Sequence, residues 1–149
     1  MKNQKITSAI IILMSVILLS AGVPAKKQKL HGVWRMVSGK TNGIENPPIS
    51  VDRTWEFKAD NTFEGKIFLP DGVRTYNKGV FMLPDDTTMV TVHSDILSGK
   101  LYPFSYKYNY HINNDTLHFY GFYLSQSKDN PRLLAPTYLD EIWVKVLPE

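Results

Sequence analysis

The sequence predicts an all-β protein, an eight-stranded antiparallel up-and-down barrel. Three observations carry this. From Phe104 to Asn113 the residues alternate by strict parity. Phe104, Tyr106, Tyr108, Tyr110 and Ile112 share one face, and Ser105, Lys107, Asn109, His111 and Asn113 share the other. That is the period of a strand with one buried and one wet face. Turn-forming residues recur roughly every 8–14 positions, the spacing of a sandwich or a barrel. Most connections are short, which favours sequential hairpins, and closing the sheet removes its unpaired edges.

The first strand spans His31 to Val37, and a long loop from Ser38 to Asp52 follows, carrying Gly39, Gly43 and Pro47-Pro48. The second strand is Arg53 to Lys58, turned by Ala59-Asp60-Asn61 into the third, Thr62 to Leu69. Pro70-Asp71-Gly72 fits a type I turn with glycine in the left-handed position and leads into the fourth, Val73 to Leu83. Pro84-Asp85-Asp86 turns into the fifth, Thr87 to His93. A loop with Ser98-Gly99-Lys100 precedes the sixth, Leu101 to Asn113, and Asn114-Asp115 turns into the seventh, Thr116 to Leu124. The polar stretch Ser125 to Thr137 holds Pro131 and Pro136, and Tyr138 to Leu147 is the eighth strand. A short helix has room only in the Ile44–Asp52 and Ser94–Lys100 loops.

The turns set registers. A three-residue turn at Ala59–Asn61 puts Phe57 opposite Phe63 and Trp55 opposite Gly65. One at Pro70–Gly72 puts Leu69 opposite Val73 and Phe63 opposite Gly79. A two-residue turn at Asn114-Asp115 puts Tyr110 opposite Phe119, His111 opposite His118, Tyr108 opposite Gly121 and Tyr106 opposite Tyr123. A large aromatic across from a bare glycine recurs in both hairpins, and this pairing covers exposed backbone.

The N-terminus reads as a secretory signal peptide over residues 1–25. Lys2 and Lys5 give a positive start, Ile6 to Leu19 is almost wholly apolar, and Val23-Pro24-Ala25 puts small residues at the cleavage positions. The alternative is an uncleaved anchor, since a stretch of roughly 18 apolar residues just reaches spanning length. Leu19-Ser20-Ala21-Gly22 resembles the start of a lipoprotein signal, but Val23 stands where the lipid-bearing Cys would be, and the chain has no Cys at all. An exported domain of residues 26–149 must therefore stand on its core without disulfides. Two lysines and no acid leave with the leader, so the charge falls from +3 to +1, 15 basic against 14 acidic residues. No basic stripe argues for nucleic acid. The expected location is periplasmic or secreted, with no stable membrane insertion after cleavage.

Leu30-His31-Gly32-Val33-Trp34 opens the first strand. A Gly-x-Trp on the first strand is the hallmark of the lipocalin superfamily. With one domain of this length and eight strands, the chain resembles a small, exported, lipocalin-like barrel of the kind found in Bacteroidetes-type bacteria. The run Asp140-Glu141-Ile142-Trp143-Val144-Lys145-Val146 has a similar look. The resemblance implies that Trp34 closes one end of the barrel and that a ligand enters at the other. It also implies a basic residue of the last strand stacked on Trp34, usually Arg. Lys145 is the nearest candidate here, and Arg132 lies in the preceding loop. The chain departs from the pattern in having no Cys for the usual disulfide, and no C-terminal helix is expected after Leu147.

Candidate sites follow from the strand faces. Trp55, Phe57, Phe63, Phe104, Tyr106, Tyr108, Tyr110, Phe119 and Tyr123 share the inward face, with Thr75 and Asn77 on the same parity of the fourth strand. They form either a ligand cavity or a packed core. Tyrosine hydroxyls need partners when buried, which favours a partly wet interior. On the cavity reading Trp55, Tyr106, Tyr108 and Tyr123 contact a small apolar or aromatic ligand, and Phe57, Phe63 and Phe119 supply apolar walls. The Ile44–Asp52 and Ser94–Lys100 loops line its entrance. His111 and His118 face each other outward with no third His near them in sequence, and structural zinc wants four ligands, so no metal is expected there. None of His31, His93, His111 and His118 obviously points inward. Asp85-Asp86 and Asp140-Glu141 are neighbours on opposite faces, so neither pair forms an acid/base couple. No nucleophile motif, phosphate loop or cofactor motif is present. The expected function is a non-enzymatic binder without cofactor. The alternative is a filled barrel acting as an envelope interaction or oligomerisation module, with a homodimer one form of it, through its loops and through Phe68, Tyr120, Phe122 and Trp143, all read as outward.

Overall fold

The computed structural model describes residues 29–46, 52–126, 130 and 133–147. The leader, Pro47-Pro48, Pro131 and Arg132 lie outside these. Nine strands form the sheet: β1 (Gly32–Thr41), β2 (Ile44–Glu45), β3 (Asp52–Phe57), β4 (Thr62–Leu69), β5 (Gly72–Met82), β6 (Thr88–His93), β7 (Tyr106–Asn113), β8 (Thr116–Gln126) and β9 (Leu134–Val146). β2 is a two-residue flap on β1. The other eight follow sequence order, each antiparallel to the next, and β9 pairs back onto β1 to close an eight-stranded antiparallel barrel. The predicted fold class is the observed one.

Turn chemistry explains most boundaries. Ala59–Asn61 is a three-residue turn with Asn61 left-handed at φ 67°, and Asp60 Oδ1 accepts hydrogen bonds from the Thr62 amide (2.9 Å) and hydroxyl (2.7 Å). Phe57–Phe63 and Trp55–Gly65 then pair as expected. The β7–β8 turn sets Tyr110–Phe119, His111–His118 and Tyr108–Gly121, again as expected, and pairing stops before Tyr106.

Three boundaries differ from expectation by more than two residues. β1 does not end at Val37: it bulges between Met36 and Ser38, continues to Thr41 and turns at Asn42-Gly43, both at positive φ. β7 begins at Tyr106 rather than Leu101, because Pro103 has no amide to donate. Phe104 is therefore off the sheet, 39% exposed and stacked on Tyr102. β9 begins at Leu134 and accommodates Pro136 opposite Leu124.

The β4–β5 hairpin departs from its expected register in an instructive way. Its turn has two residues, so Leu69 pairs with Gly72 and Phe68 with Val73. Yet Phe63 still meets Gly79. A bulge at Tyr76, between the Gly65–Asn77 and Lys66–Thr75 pairs, restores the register. The slip sends Thr75 outward, where its hydroxyl donates to Glu64 Oε1 at 2.8 Å, and turns Tyr76 inward.

Strand polarity divides the interior into two halves. At the end where β1 starts and the β3–β4, β5–β6 and β7–β8 turns lie, Leu30, Trp34, Phe57, Phe63, Phe81, Met89, Tyr110 and Leu117 form a buried core. Trp34 is 0% exposed and its Nε1 donates to the Leu30 carbonyl at 2.7 Å. Lys145 Nζ lies 5.2 Å from the Trp34 ring centroid and donates to the Lys29 carbonyl at 2.9 Å. The basic residue over this tryptophan is thus Lys145. At the other end the barrel opens.

Candidate functional site

The open half holds a cavity of about 340 Å³. Its floor is aromatic. Trp55 sits on β3 with its ring centroid 5.5 Å from Phe119 and 5.9 Å from Trp143. Tyr108, held over Gly121 by the β7–β8 register, has its ring 4.5 Å from Phe119. A Cβ on Gly121 would come within 2.8 Å of Tyr108 Cδ1, so only glycine permits this seat. Gly65 does the same for the opposite wall, where a Cβ would strike Asn77 Oδ1, Tyr76 Cζ and Trp55 Nε1. In that space Trp55 Nε1 donates to the Tyr76 hydroxyl.

Of the seven residues expected to bind ligand, Trp55, Tyr106, Tyr108 and Tyr123 line the cavity. Phe57, Phe63 and Phe119 belong to the buried core beside it. Asn77 lines the cavity as well.

The structure adds polar wall residues that were not among the expected site residues: Glu141, His93 and Tyr76, and Arg53, which shares the inward parity of Trp55. Glu141 and Trp143 share the inward parity of β9. Trp143 is 3% exposed, so the outward position expected for it is wrong. The cause is the composition of β9. Apolar Ile142 and Val144 occupy the outward parity, while charged Glu141 and Lys145 share the inward parity with Trp143, so hydrophobic alternation points the wrong way. His93 follows Met89 and Thr91 on the inward parity of β6 and correspondingly corrects the expectation that no histidine points inward. Its ring meets Phe63 and Tyr106 edge-on at 5.2 and 5.1 Å.

Burial governs the electrostatics. It pushes the Glu141 carboxyl up to about 7, against opposing help from the Trp143 indole, whose Nε1 donates to Oε2 at 3.2 Å, and from Arg53. Burial alone lowers His93 to about 4, so its ring is neutral at pH 7. Tyr76 and Tyr108 are raised well beyond the ordinary phenol range, both first by burial; the Glu141 charge comes next for Tyr76, and Tyr106 followed by Glu141 for Tyr108. Tyr106 and Tyr123 are also raised by burial. Asn77 Oδ1 and His93 Nε2 are buried without a hydrogen-bond partner among the described residues. Each such atom carries a desolvation cost of about 1–3 kcal/mol.

Outside the barrel, His111 and His118 sit opposite each other as expected, but β8–β9 pairing brings a carboxylate to them: His118 Nε2 lies 2.7 Å from Asp140 Oδ1. Among the described residues no group of three or more metal-ligating side chains forms. With Trp143 inside, the outward aromatics reduce to Phe68, Tyr120 and Phe122. Phe122 is 59% exposed and packs edge-on against Tyr138 at 5.0 Å. A second depression of about 360 Å³, between the β4–β5 surface and Ser94–Leu101, is more open to solvent and rimmed by Lys58, Lys78 and Glu64.

No model of a known protein family matches the chain, and no curated protein matches its sequence.

Proposed function

We propose that the protein is an exported, non-enzymatic binding protein that holds a small aromatic ligand in the open half of a lipocalin-like barrel. The observation that carries this is the cavity of about 340 Å³ above a floor of stacked rings. Small-molecule sites span ~300–1,000 Å³ and combine apolar walls with a few orienting polar groups. This one lies at the small end of that range and has both. Glycines at 65 and 121 open space for rings rather than filling it. Asn77 Oδ1 and His93 Nε2 offer unmatched polar atoms that a ligand hydrogen bond would compensate. Gly32-x-Trp34, with the Trp34 ring buried and Lys145 over it, supports the lipocalin-like reading. The charged, apolar and small-residue order of the first 25 residues supports export.

Native mass spectrometry of the purified protein before and after organic extraction tests this. The expected result is a bound small mass that extraction removes and that Leu139→Trp, which adds bulk to the cavity wall, prevents. A bare mass before extraction, with no uptake from a mixture of small aromatic compounds afterwards, would overturn it.

A further inference from the structure

We infer that the cavity's ligand is an organic cation, a small aromatic ammonium, whose charge is met by the Glu141 carboxylate inside a cage of aromatic rings. This rests on the reading of the cavity as a binding site and adds the charge of its occupant.

Glu141 is placed for such a role. β9 pairs it with Gly39 of β1, where a Cβ would crowd its Cγ at 3.2 Å, so glycine leaves its stem room to enter the barrel. Among the described residues a single donor reaches the carboxylate, Trp143 Nε1 at 3.2 Å, which leaves most of its acceptor capacity unused. The rings of Trp55, Trp143 and Tyr108 share the same cavity. Ring faces attract cations, and the attraction grows when water is excluded.

The groups facing Glu141 decide the sign of the field. From β3 comes Arg53, from β5 Tyr76, and from β6 His93. From β7 come Tyr106 and Tyr108, and from β8 Tyr123. β1 offers Met36 and Gly39, and β4 Gly65, none of them titratable. On its own strand Asp140 points outward to His118. The tyrosines and His93 are neutral at pH 7. Arg53 is the one opposing full charge among the lining residues, and it lies on the exposed start of β3, where water and salt screen it. Glu141 lies deeper and is screened less. Its carboxyl, held near 7, is poised between two forms. An arriving cation takes the ionised form, the carboxyl proton leaves to solvent, and the charge inside balances. A neutral ligand gains nothing from this, and an anion is opposed by it.

Calorimetric titration of the protein with benzyltrimethylammonium, a permanent cation, tests the inference, with benzyl alcohol and phenylacetate as neutral and anionic counterparts. The cation should bind more tightly as pH rises, about tenfold per pH unit below the carboxyl's pKa and level above it. Glu141→Gln should abolish that dependence and weaken the cation about tenfold or more, while benzyl alcohol affinity stays within about twofold. The pH series on the unaltered protein decides the matter even if the variant folds poorly. A cation affinity independent of pH would overturn the inference. So would phenylacetate binding in preference to the cation and losing affinity in Arg53→Gln, a result that leaves the cavity a binding site. Uptake of none of the three would overturn the binding-site reading itself.

Discussion

Two half-buried titratable residues set opposite demands on the fold. Glu141, raised to about 7, is favoured protonated in the barrel. Its contribution is full below the ordinary glutamate pKa and is lost as pH rises toward 7. His93, lowered to about 4, is favoured neutral. Its contribution is full above the ordinary histidine pKa and is lost as pH falls toward 4. Between roughly pH 4.5 and 6.5 the unfolded chain has released the Glu141 proton but holds the His93 proton, and the folded chain does the reverse. The two slopes cancel in that window. Denaturant unfolding of the unaltered protein should therefore vary little there. Glu141→Gln should make stability rise with pH across the window, and His93→Gln should make it fall, each by up to about 1.4 kcal/mol per pH unit. Slopes of the same sign in both variants would contradict this.

At the scale of elements, backbone proximity across the hairpins is as restrictive as any side-chain contact. A Cβ at Gly79 would lie 2.1 Å from the Val92 carbonyl oxygen and 2.9 Å from His93 Cα. Both are backbone atoms of the neighbouring strand β6 and cannot swing aside. Gly79→Ala should cost at least about 1–3 kcal/mol in chemical denaturation, as overpacking does elsewhere, and an unchanged midpoint would show that β5 and β6 sit further apart. The pairing of Phe63 with Gly79 was legible in the sequence, as were Trp55 with Gly65 and Tyr108 with Gly121, because short turns fix register and the aromatic-over-glycine pattern repeats. The route to the Phe63 pairing was not legible. A two-residue turn and a compensating bulge at Tyr76 arrive at the register that a three-residue turn without a bulge would give. β9 was the least legible strand. Its apolar residues occupy both parities and its inward face carries Glu141 and Lys145, so a rule that sorts by hydrophobicity turns it over. Those same inversions mark the cavity acid and the residue over Trp34, which is where local pattern and global structure are expected to disagree.

At the scale of the whole molecule the barrel is neither filled nor hollow. One half is a packed plug of Trp34, Phe57, Phe63, Phe81, Met89 and Leu117, and the other is a cavity above the Trp55, Phe119 and Trp143 rings. Sequence alternation shows, outside β9 and the bulged β5, which residues point inward, but it carries no measure of the volume they leave, so this division emerges only from the packed structure. The arrangement also places the three tryptophans as reporters: Trp55 and Trp143 border the cavity, and Trp34 lies buried at the closed end. The most direct test of the central claim is the nuclear magnetic resonance spectrum of the three indole N–H groups during titration with the extracted ligand or with benzyltrimethylammonium. A ligand in the cavity moves the Trp55 and Trp143 signals together to saturation and leaves Trp34 in place. Saturating uptake that moves Trp34 alone, or moves none of the three, would place the ligand outside the cavity and contradict the claim.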